Sequence, residues 1–274
     1  MLGTQLFERH TRSVRLTAAG REAVERSRAL LAGAADLVER AAAAREPLSG
    51  PLHLGVIPTV APFLLPRVLP PLRAHYPKLK LFLREDQTAR LLERLRGGEL
   101  DMALIALPYE TAEFQVRELF RDEFWFVARQ GDPLAKPKSV ALEKLDPAEV
   151  VLLEEGHCLR EHAIAACGGP PEAGRSRIEA TSLPTLLQMV EGGLGVTLLP
   201  EMALKAGLLN GTNLVARPFS VRVPARTLVL AARPASARTA DLDLLAGFIR
   251  EHAAPRLPGG ARRRYHGRTK SRGG

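Results

Sequence analysis

The two cysteines of the chain, Cys158 and Cys167, lie nine residues apart. His157 precedes the first cysteine, and Arg160 and His162 follow it closely. Positive neighbours favour the thiolate, which is the form of cysteine that reacts with oxidants. A second thiol close in sequence can trap the oxidised product as a disulfide. The residue types and their spacing therefore indicate a redox switch.

The same residues allow a plainer interpretation. A free cysteine is most often a small buried apolar side chain, and Cys167 directly follows Ala165 and Ala166. Nearby acidic residues, such as Glu155 and Glu161, oppose a thiolate if they point towards the sulfur. The pattern alone leaves both a reactive cysteine pair and a buried one open.

The spacing has a geometric consequence if residues 158–167 form one helix, as we predict. Nine residues of helix separate the Cα atoms by about 13 Å. A disulfide requires a Cα separation below about 7 Å. The bond could therefore form only if about residues 157–169 unwind, and the adjoining run Gly168-Gly169-Pro170-Pro171 would ease that change.

Composition narrows the classes of protein. The net charge of the 274 residues is +9, but residues 51–255 are neutral overall, and residues 256–274 carry seven basic side chains and no acidic ones. We expect a solvated, disordered basic tail that adds non-specific attraction for phosphate. Neither a membrane-spanning run nor a signal peptide is recognisable, which predicts a cytoplasmic protein without membrane contact. Cytoplasmic thiols are kept reduced, so a disulfide would be transient.

The predicted helices and strands determine where the two thiols lie. A helix from the N-cap Thr17 to about Arg45 is predicted, with apolar residues in heptad columns. This pattern favours a helix–helix seam between chains, and the alternative is packing on the helix's own domain. Residues 52–107 then predict a β-α-β-α-β unit with a parallel sheet. Residues 123–232 predict a second α/β unit, and a helix over 241–252 closes the chain. Two such lobes leave a ligand cleft between them.

Several segments resemble a known family. Residues 2–9 and 14–20 are similar to the wing and the start of the linker helix of LysR-type transcriptional regulators, and residues 193–200 resemble a segment of their effector domain. Within that family, four stretches resemble the OxyR subfamily of hydrogen-peroxide sensors; these are residues 49–60, 87–88, 153–160 and 180–183. The interval between the two cysteines also has the spacing of that subfamily's pair. The resemblance extends to about residue 253.

The resemblance implies a fold and a division into domains. The expected fold is α/β, with two Rossmann-like subdomains of a periplasmic-binding-protein-like effector domain after a wing remnant and a long linker helix. The wing remnant would cover residues 1–15, the linker and dimerisation helix 16–47, the effector domain 51–255 and the basic tail 256–274. Lobe I would combine about 51–122 with 228–255, and lobe II would be about 123–227.

The resemblance also assigns roles to residues. Cys158 would be the peroxide-reactive cysteine and Cys167 its resolving partner. The peroxide pocket would consist of Thr59, Thr88, His157, Arg160 and Arg233. Weak DNA contacts would come from the wing residues Arg9, Arg12 and Arg15. No cofactor, metal site or catalytic turnover is implied.

The function that the resemblance implies is a redox-sensing, DNA-binding transcription regulator, activated by hydrogen peroxide through a Cys158–Cys167 disulfide. Its partners would be promoter double-stranded DNA, RNA polymerase for an activator, and further copies of the chain in a dimer or tetramer. The sequence starts at the wing without the preceding recognition helix, so reading of base edges is not expected. The alternatives are a regulator that binds a small organic effector in the cleft, a sensor fragment unable to bind DNA, a thiol peroxidase and a secreted solute-binding protein.

Overall fold

The computed structural model describes residues 4–10, 13–43, 46–166, 179–221, 223–234, 236 and 238–253. The strands are β1 (Phe7–His10), β2 (Ser13–Leu16), β3 (Gly50–Val56), β4 (Leu79–Glu85), β5 (Met102–Leu107), β6 (Gln115–Arg129), β7 (Leu152–Leu153), β8 (Glu179–Ala180), β9 (Thr197–Pro200), β10 (Leu214–Arg217) and β11 (Ala225–Ala232). The helices are α1 (Ala18–Ala43), α2 (Ala61–His75), α3 (Thr88–Arg96), α4 (Cys158–Ala166), α5 (Leu183–Glu191), α6 (Glu201–Lys205) and α7 (Thr239–Ala253). Three short 3-10 helices, Pro133–Ala135, Leu142–Lys144 and Pro147–Glu149, lie between β6 and β7.

A parallel sheet forms the first lobe. Strand β3 pairs in parallel with both β4 and β5, and α2 and α3 are the crossover helices. Strand β5 is buried along almost its whole length, as expected for a strand with covered faces. The predicted β-α-β-α-β unit is confirmed, and α3 ends at Gly97 as its sequence predicts.

The long strand β6 joins this lobe to the second. Its first half pairs with β11, which also pairs antiparallel with β5. Its second half, from Phe124 onwards, pairs with β9 and β10. The short pair β7–β8 and the helices α4 and α5 complete the second lobe. The region of β6 around Asp122 is therefore the hinge between the lobes.

The sequence prediction is incomplete in this region. It began the strand at Glu123, whereas β6 begins at Gln115, and it included neither β10 nor α6. Cross-strand pairing with β11, which lies about 100 residues later, stabilises the first half of β6. Charged and apolar side chains do not alternate regularly over Gln115–Asp122, so the local pattern gives no clear strand signal there. The domain boundaries given above stay a prediction.

The N-terminal part is a hairpin followed by the long helix. Strands β1 and β2 pair antiparallel, and α1 follows with Thr17 as its N-cap, since the Thr17 hydroxyl accepts a hydrogen bond from the Gly20 amide at 2.9 Å. The heptad residues Leu30, Leu31, Leu37 and Val38 of α1 are 70–75% exposed. In this single chain, the helix therefore leaves its apolar stripe uncovered. The described part of the chain contains no helix with the length and apolarity to cross a membrane.

Candidate functional site

Cys158 is the first residue of α4, and its side chain is 2% exposed. The backbone amide of Leu159 donates towards the sulfur and lowers the pKa of the thiol, as expected for the first turn of a helix. The predicted helix is confirmed as far as Ala166. Cys167 lies outside the described residues, so the separation of the two thiols stays a prediction.

A glycine turn delivers the chain to α4. Gly156 has φ +92°, a conformation that side chains with a Cβ rarely adopt, and a Cβ there would lie 2.5 Å from Oε1 of Gln87. The Gln87 amide donates to the Glu155 carbonyl oxygen at 3.2 Å. Since Gln87 caps α3, this contact fixes the loop before Cys158 against the first lobe.

A buried arginine lies beside the sulfur of Cys158. Arg226 is 1% exposed and donates to the Asp122 carboxylate at 2.9 and 3.1 Å. It also donates to the hydroxyl of Thr59 at 2.8 Å and to the Thr59 carbonyl oxygen at 3.1 Å. Both Arg226 and the Thr59 hydroxyl form hydrogen bonds that lower the pKa of Cys158. This arrangement places a fixed cation and a hydroxyl beside the thiol.

The second predicted hydroxyl has no partner of its own. Thr88, at the start of α3, is fully buried, and its Oγ1 makes no hydrogen bond to any described residue. Tyr109 is the neighbour of both groups, because burial, the charge on Cys158 and the charge on Glu161 all raise the pKa of its phenol. The Thr88 side chain opposes this and lowers the pKa of the phenol, although the two groups do not meet hydrogen-bond geometry. A buried hydroxyl without a hydrogen-bond partner is suited to holding a small polar ligand.

His157 and Arg160 interact with groups other than the sulfur. Arg160 is buried and donates to the Leu153 carbonyl oxygen at 3.0 Å and to the Glu179 carboxylate at 2.7 Å. His157 is 6% exposed and lies 3.7 Å from a Glu154 carboxylate oxygen. Burial lowers the pKa of His157 despite that carboxylate, so the ring is neutral at neutral pH. The positive charge next to the thiol therefore comes from Arg226.

Burial dominates the electrostatics of the thiol. It raises the pKa of Cys158, and the opposing effects of Arg226, Thr59 and the Leu159 amide do not fully compensate. The expectation that sequence neighbours would favour the thiolate is therefore corrected. The resting form at neutral pH is the thiol, because removing an anion from water costs more than the three donors return.

His162 connects α4 to the first lobe. One ring nitrogen faces the Cys158 carbonyl oxygen and the other faces the Leu107 carbonyl oxygen at 2.6 Å. The ring also packs against Phe124, with centroids 5.7 Å apart. Since Leu107 ends β5 of the first lobe, this side chain holds the reduced helix across the cleft.

The remaining predicted residues lie elsewhere. Arg233 follows the end of β11 and donates to the carbonyl oxygens of Leu95 and Leu100, whereas Arg226 lies near the start of that strand. Seven residues of strand correspond to about 23 Å, so this arrangement does not bring Arg233 to Cys158. Arg15 is exposed on β2, Arg9 lies on β1, and Arg12 and the basic tail are outside the described residues.

Sequence reasoning missed Arg226, Asp122 and Tyr109. Charged residues often flank apolar segments, so neither Arg226 nor Asp122 stands out in the sequence. The two residues are also 104 positions apart, so the sequence does not indicate that they form an ion pair. The one usable signal was Arg226, the only charged residue of the mostly apolar strand β11. Among the described residues, no cluster of potential metal ligands is present.

Known proteins are similar to this chain. The profile of the LysR substrate binding domain matches residues 45–254. The chain belongs to the LysR family. The HTH-type transcriptional regulator EstR of Acinetobacter baylyi is 38% identical, over 93% of this chain and 84% of that protein. A "probable hydrogen peroxide-inducible genes activator" of Streptomyces viridosporus is 41% identical, over 91% of this chain and 80% of its own length.

A solved structure gives the fold of this LysR-family chain directly. The hydrogen-peroxide-bound form of an OxyR cysteine variant from Corynebacterium glutamicum superimposes with a TM-score of 0.74 and is 32% identical. The superposition covers 92% of this chain and 79% of the Corynebacterium chain. The fold is therefore the α/β, periplasmic-binding-protein-like fold of LysR regulatory domains.

Proposed function

We propose that this chain is a transcription regulator that senses hydrogen peroxide through oxidation of Cys158. The observation that carries the proposal is the buried thiol beside Arg226 and Thr59, together with the unpartnered Thr88 hydroxyl, since Tyr109 interacts with both Cys158 and Thr88. Cleavage of a peroxide O–O bond requires a nucleophile and hydrogen-bond donors to the leaving oxygen. The peroxide molecule is small enough for a buried site. The peroxide activators among its relatives, and the peroxide-bound structure, support the same function.

The chemistry proceeds in two balanced steps. The Cys158 sulfur forms a bond to one peroxide oxygen as the O–O bond breaks, and the thiol proton passes to the leaving oxygen. The products are Cys158 sulfenic acid and water. The Cys167 thiol then attacks the sulfenic sulfur, a disulfide forms and a second water leaves. Arg226 stabilises the developing anion at the sulfur and the leaving oxygen, while Thr59 and Thr88 orient the peroxide.

The second step requires a conformational change. The helix α4 runs unbroken from Cys158 to Ala166. A thiol one residue beyond its end is about 13 Å away along a continuous helix, which exceeds the disulfide limit of about 7 Å. Unwinding α4 would break the contacts of His162 with Leu107 and of Arg160 with Glu179. The disulfide thereby changes how the second lobe meets the first.

In this proposal, the regulator binds promoter DNA. Residues of the β1–β2 hairpin, such as Arg15, would contact the phosphate backbone. The exposed heptad stripe of α1 would pair with the same stripe of a second copy, giving a dimer or a higher oligomer. RNA polymerase is the further partner if the regulator activates transcription. The proposed site of action is the cytoplasm.

Peroxide titration of the reduced protein tests the proposal. One equivalent is expected to remove two hydrogen atoms from the intact mass, and peptide mapping is expected to join the Cys158 and Cys167 peptides. Cys167→Ser should instead gain one oxygen atom at Cys158, which a sulfenic-acid trap captures. Cys158→Ser should leave the mass unchanged. A wild-type protein with overoxidised Cys158 and a permanently free Cys167 contradicts the mechanism.

A second candidate is a regulator that binds a small organic effector between the lobes, with unreactive cysteines. The similarity to EstR, whose name mentions no peroxide, favours it. The two candidates differ in a single measurement. If Cys158 resists several equivalents of peroxide at neutral pH while the protein is folded, the organic-effector function replaces peroxide sensing.

A further inference from the structure

Access to the buried thiol depends on the groups around it. Cys158 is 2% exposed, and the groups that interact with its sulfur are as deeply buried, with Arg226 at 1%, Thr59 at 2% and Leu159 at 2%. Tyr109 differs from them, because its side chain interacts with Cys158 but is only partly buried. Among the described residues that interact with the sulfur, Tyr109 is the one that also reaches the solvent.

The backbone brings Tyr109 to the helix that carries the thiol. Tyr109 lies two residues beyond Leu107, the last residue of β5. The Leu107 carbonyl oxygen is 2.6 Å from Nε2 of His162, which lies one turn after Cys158 on α4. The Tyr109 side chain packs against the core cluster that contains Cys158. The segment that follows β5 therefore starts in contact with the first turns of α4.

The neighbours of Tyr109 place its ring between the thiol and the solvent. Cys158 and Glu161 are three residues apart and lie on one face of α4, and the charges of both raise the pKa of the phenol. Cys158 is buried, whereas Glu161 is exposed. The third neighbour, Thr88, is fully buried at the start of α3. A ring that interacts with all three lies along the first turn of α4, with the thiol and Thr88 on its inner side and solvent on its outer side.

We propose that the ring of Tyr109 covers the thiol and sets the size of the oxidant that reaches it. Arg226 and Thr59 close the inner side of the sulfur, so the substituent of a larger oxidant must point towards Tyr109. Hydrogen peroxide has no substituent, whereas a tertiary alkyl hydroperoxide carries a branched group that overlaps with the ring. Tyr109 is thus a specificity-determining residue of the peroxide reaction, and this role rests on the proposed function.

The reaction with an alkyl hydroperoxide differs from that with hydrogen peroxide in its second product. The Cys158 sulfur forms a bond to the terminal oxygen as the O–O bond breaks, and the thiol proton passes to the leaving alkoxide oxygen. The products are Cys158 sulfenic acid and an alcohol. Because the bond changes at the sulfur are the same for both oxidants, a substitution that changes the ratio of their rates has changed access to the sulfur.

Oxidation of Cys158 by hydrogen peroxide and by tert-butyl hydroperoxide tests the proposal. Both rate constants are measured by quenched-flow mass spectrometry on the reduced full chain. Tyr109→Ala is expected to raise the ratio of the tert-butyl hydroperoxide rate to the hydrogen peroxide rate about tenfold or more, because the branched group gains the space of the ring. Tyr109→Phe keeps the ring and should retain the wild-type ratio within about twofold. Tyr76→Ala is the matched control, since this partly buried tyrosine contacts Phe248 next to α2 and should change neither rate.

Alkylation of Cys158 by N-ethylmaleimide tests the cover without peroxide. Tyr109→Ala should accelerate alkylation about tenfold or more, followed by mass spectrometry of the Cys158 peptide, because the reagent is larger than peroxide and needs the space of the ring. Tyr109→Phe should leave the alkylation rate close to that of the wild type. Faster alkylation of Tyr109→Ala in a protein that peroxide does not oxidise would support the cover and refute only the proposed function.

Three results would overturn the proposal. An unchanged rate ratio in Tyr109→Ala shows that the ring does not set the size of the oxidant. An equal rise of the ratio in Tyr109→Phe assigns the selectivity to the hydroxyl rather than to the ring. An equal rise in Tyr76→Ala shows a general loosening of the fold. Circular dichroism verifies that each variant is folded, and Tyr109→Leu, which keeps an apolar contact with the core, provides the same comparison if the alanine variant unfolds.

Discussion

Replacement of Arg226 by methionine separates the two roles of this side chain. Methionine has a similar length and no charge, so the variant removes the four hydrogen bonds to Asp122 and Thr59 with a small change in volume. It also removes the cation beside Cys158. We therefore expect both stability and the rate of oxidation to fall, for different reasons.

The structure sets the size of each effect. The side chains of Arg226 and Asp122 are 0% and 3% exposed, and removal of one partner of a buried ion pair costs about 3–5 kcal/mol of unfolding free energy. A hydrogen bond to a charged group contributes about 1.5–3 kcal/mol, and this corresponds to oxidation slower by about 10- to 150-fold. The double variant Asp122→Asn, Arg226→Met has no unpaired buried carboxylate and still accepts the Met202 amide. It should recover most of the stability but none of the rate.

The assays are urea denaturation for stability and quenched-flow mass spectrometry for Cys158 oxidation, both at pH 7. Arg233→Met serves as the matched control, because that arginine contacts Leu95 and Leu100 rather than the thiol. Its oxidation rate should stay within about twofold of the wild type, since no charge at the sulfur is lost. The reasoning fails if Arg226→Met oxidises at the wild-type rate, or if the double variant regains that rate.

Three further variants probe the site. Thr88→Val is expected to leave stability unchanged or raise it by about 1 kcal/mol, because a buried unpartnered hydroxyl is removed, yet peroxide oxidation of Cys158 should slow about tenfold or more; an unchanged rate in the same mass-spectrometric assay would show that the hydroxyl holds nothing. Gly156→Ala should destabilise the fold by about 1–3 kcal/mol in urea denaturation, because its φ of +92° and the approach of Gln87 both exclude a Cβ. Burial lowers the pKa of His157, so this residue stabilises the fold above its unfolded-state pKa of about 6.5, and that stability is lost as the pH falls towards the folded-state pKa. In thermal denaturation between pH 7.5 and 5, the melting temperature of His157→Gln should therefore fall less steeply with pH than that of the wild type. Parallel plots of melting temperature against pH would refute this.

Local signals were sufficient for most of the fold. The N-cap Thr17, the break at Pro47 and the end of α3 at Gly97 are all marked by nearby residues, and each element formed close to its predicted position. The sequence did not predict the first half of β6, whose side chains do not alternate regularly. Its pairing partner β11 lies about 100 residues later, so the register and length of the strand depend on contacts that a local pattern does not contain.

The site was less accessible to the same reasoning. Adjacent positive residues suggested that Arg160 and His157 activate the thiol, but a helix turns consecutive side chains through about 100°, and Arg160 faces Glu179. Pairing of β11 with β6 places Arg226 opposite Asp122 at the hinge, and from there Arg226 forms a hydrogen bond to Cys158. Sequence proximity predicted which cysteine begins the helix, and the tertiary fold decided which cation faces it.

The raised pKa of Cys158 fits the proposed sensor better than a low one would. A thiolate exposed to solvent reacts with many oxidants and electrophiles, whereas a buried thiol reacts only with a molecule small enough to enter. Arg226 and the two threonine hydroxyls act when negative charge develops on the sulfur and on the leaving oxygen, so they assist the reaction without ionising the resting thiol. Burial thus limits which oxidants reach the thiol, and the fixed donors around the sulfur set how fast it reacts with the one that enters.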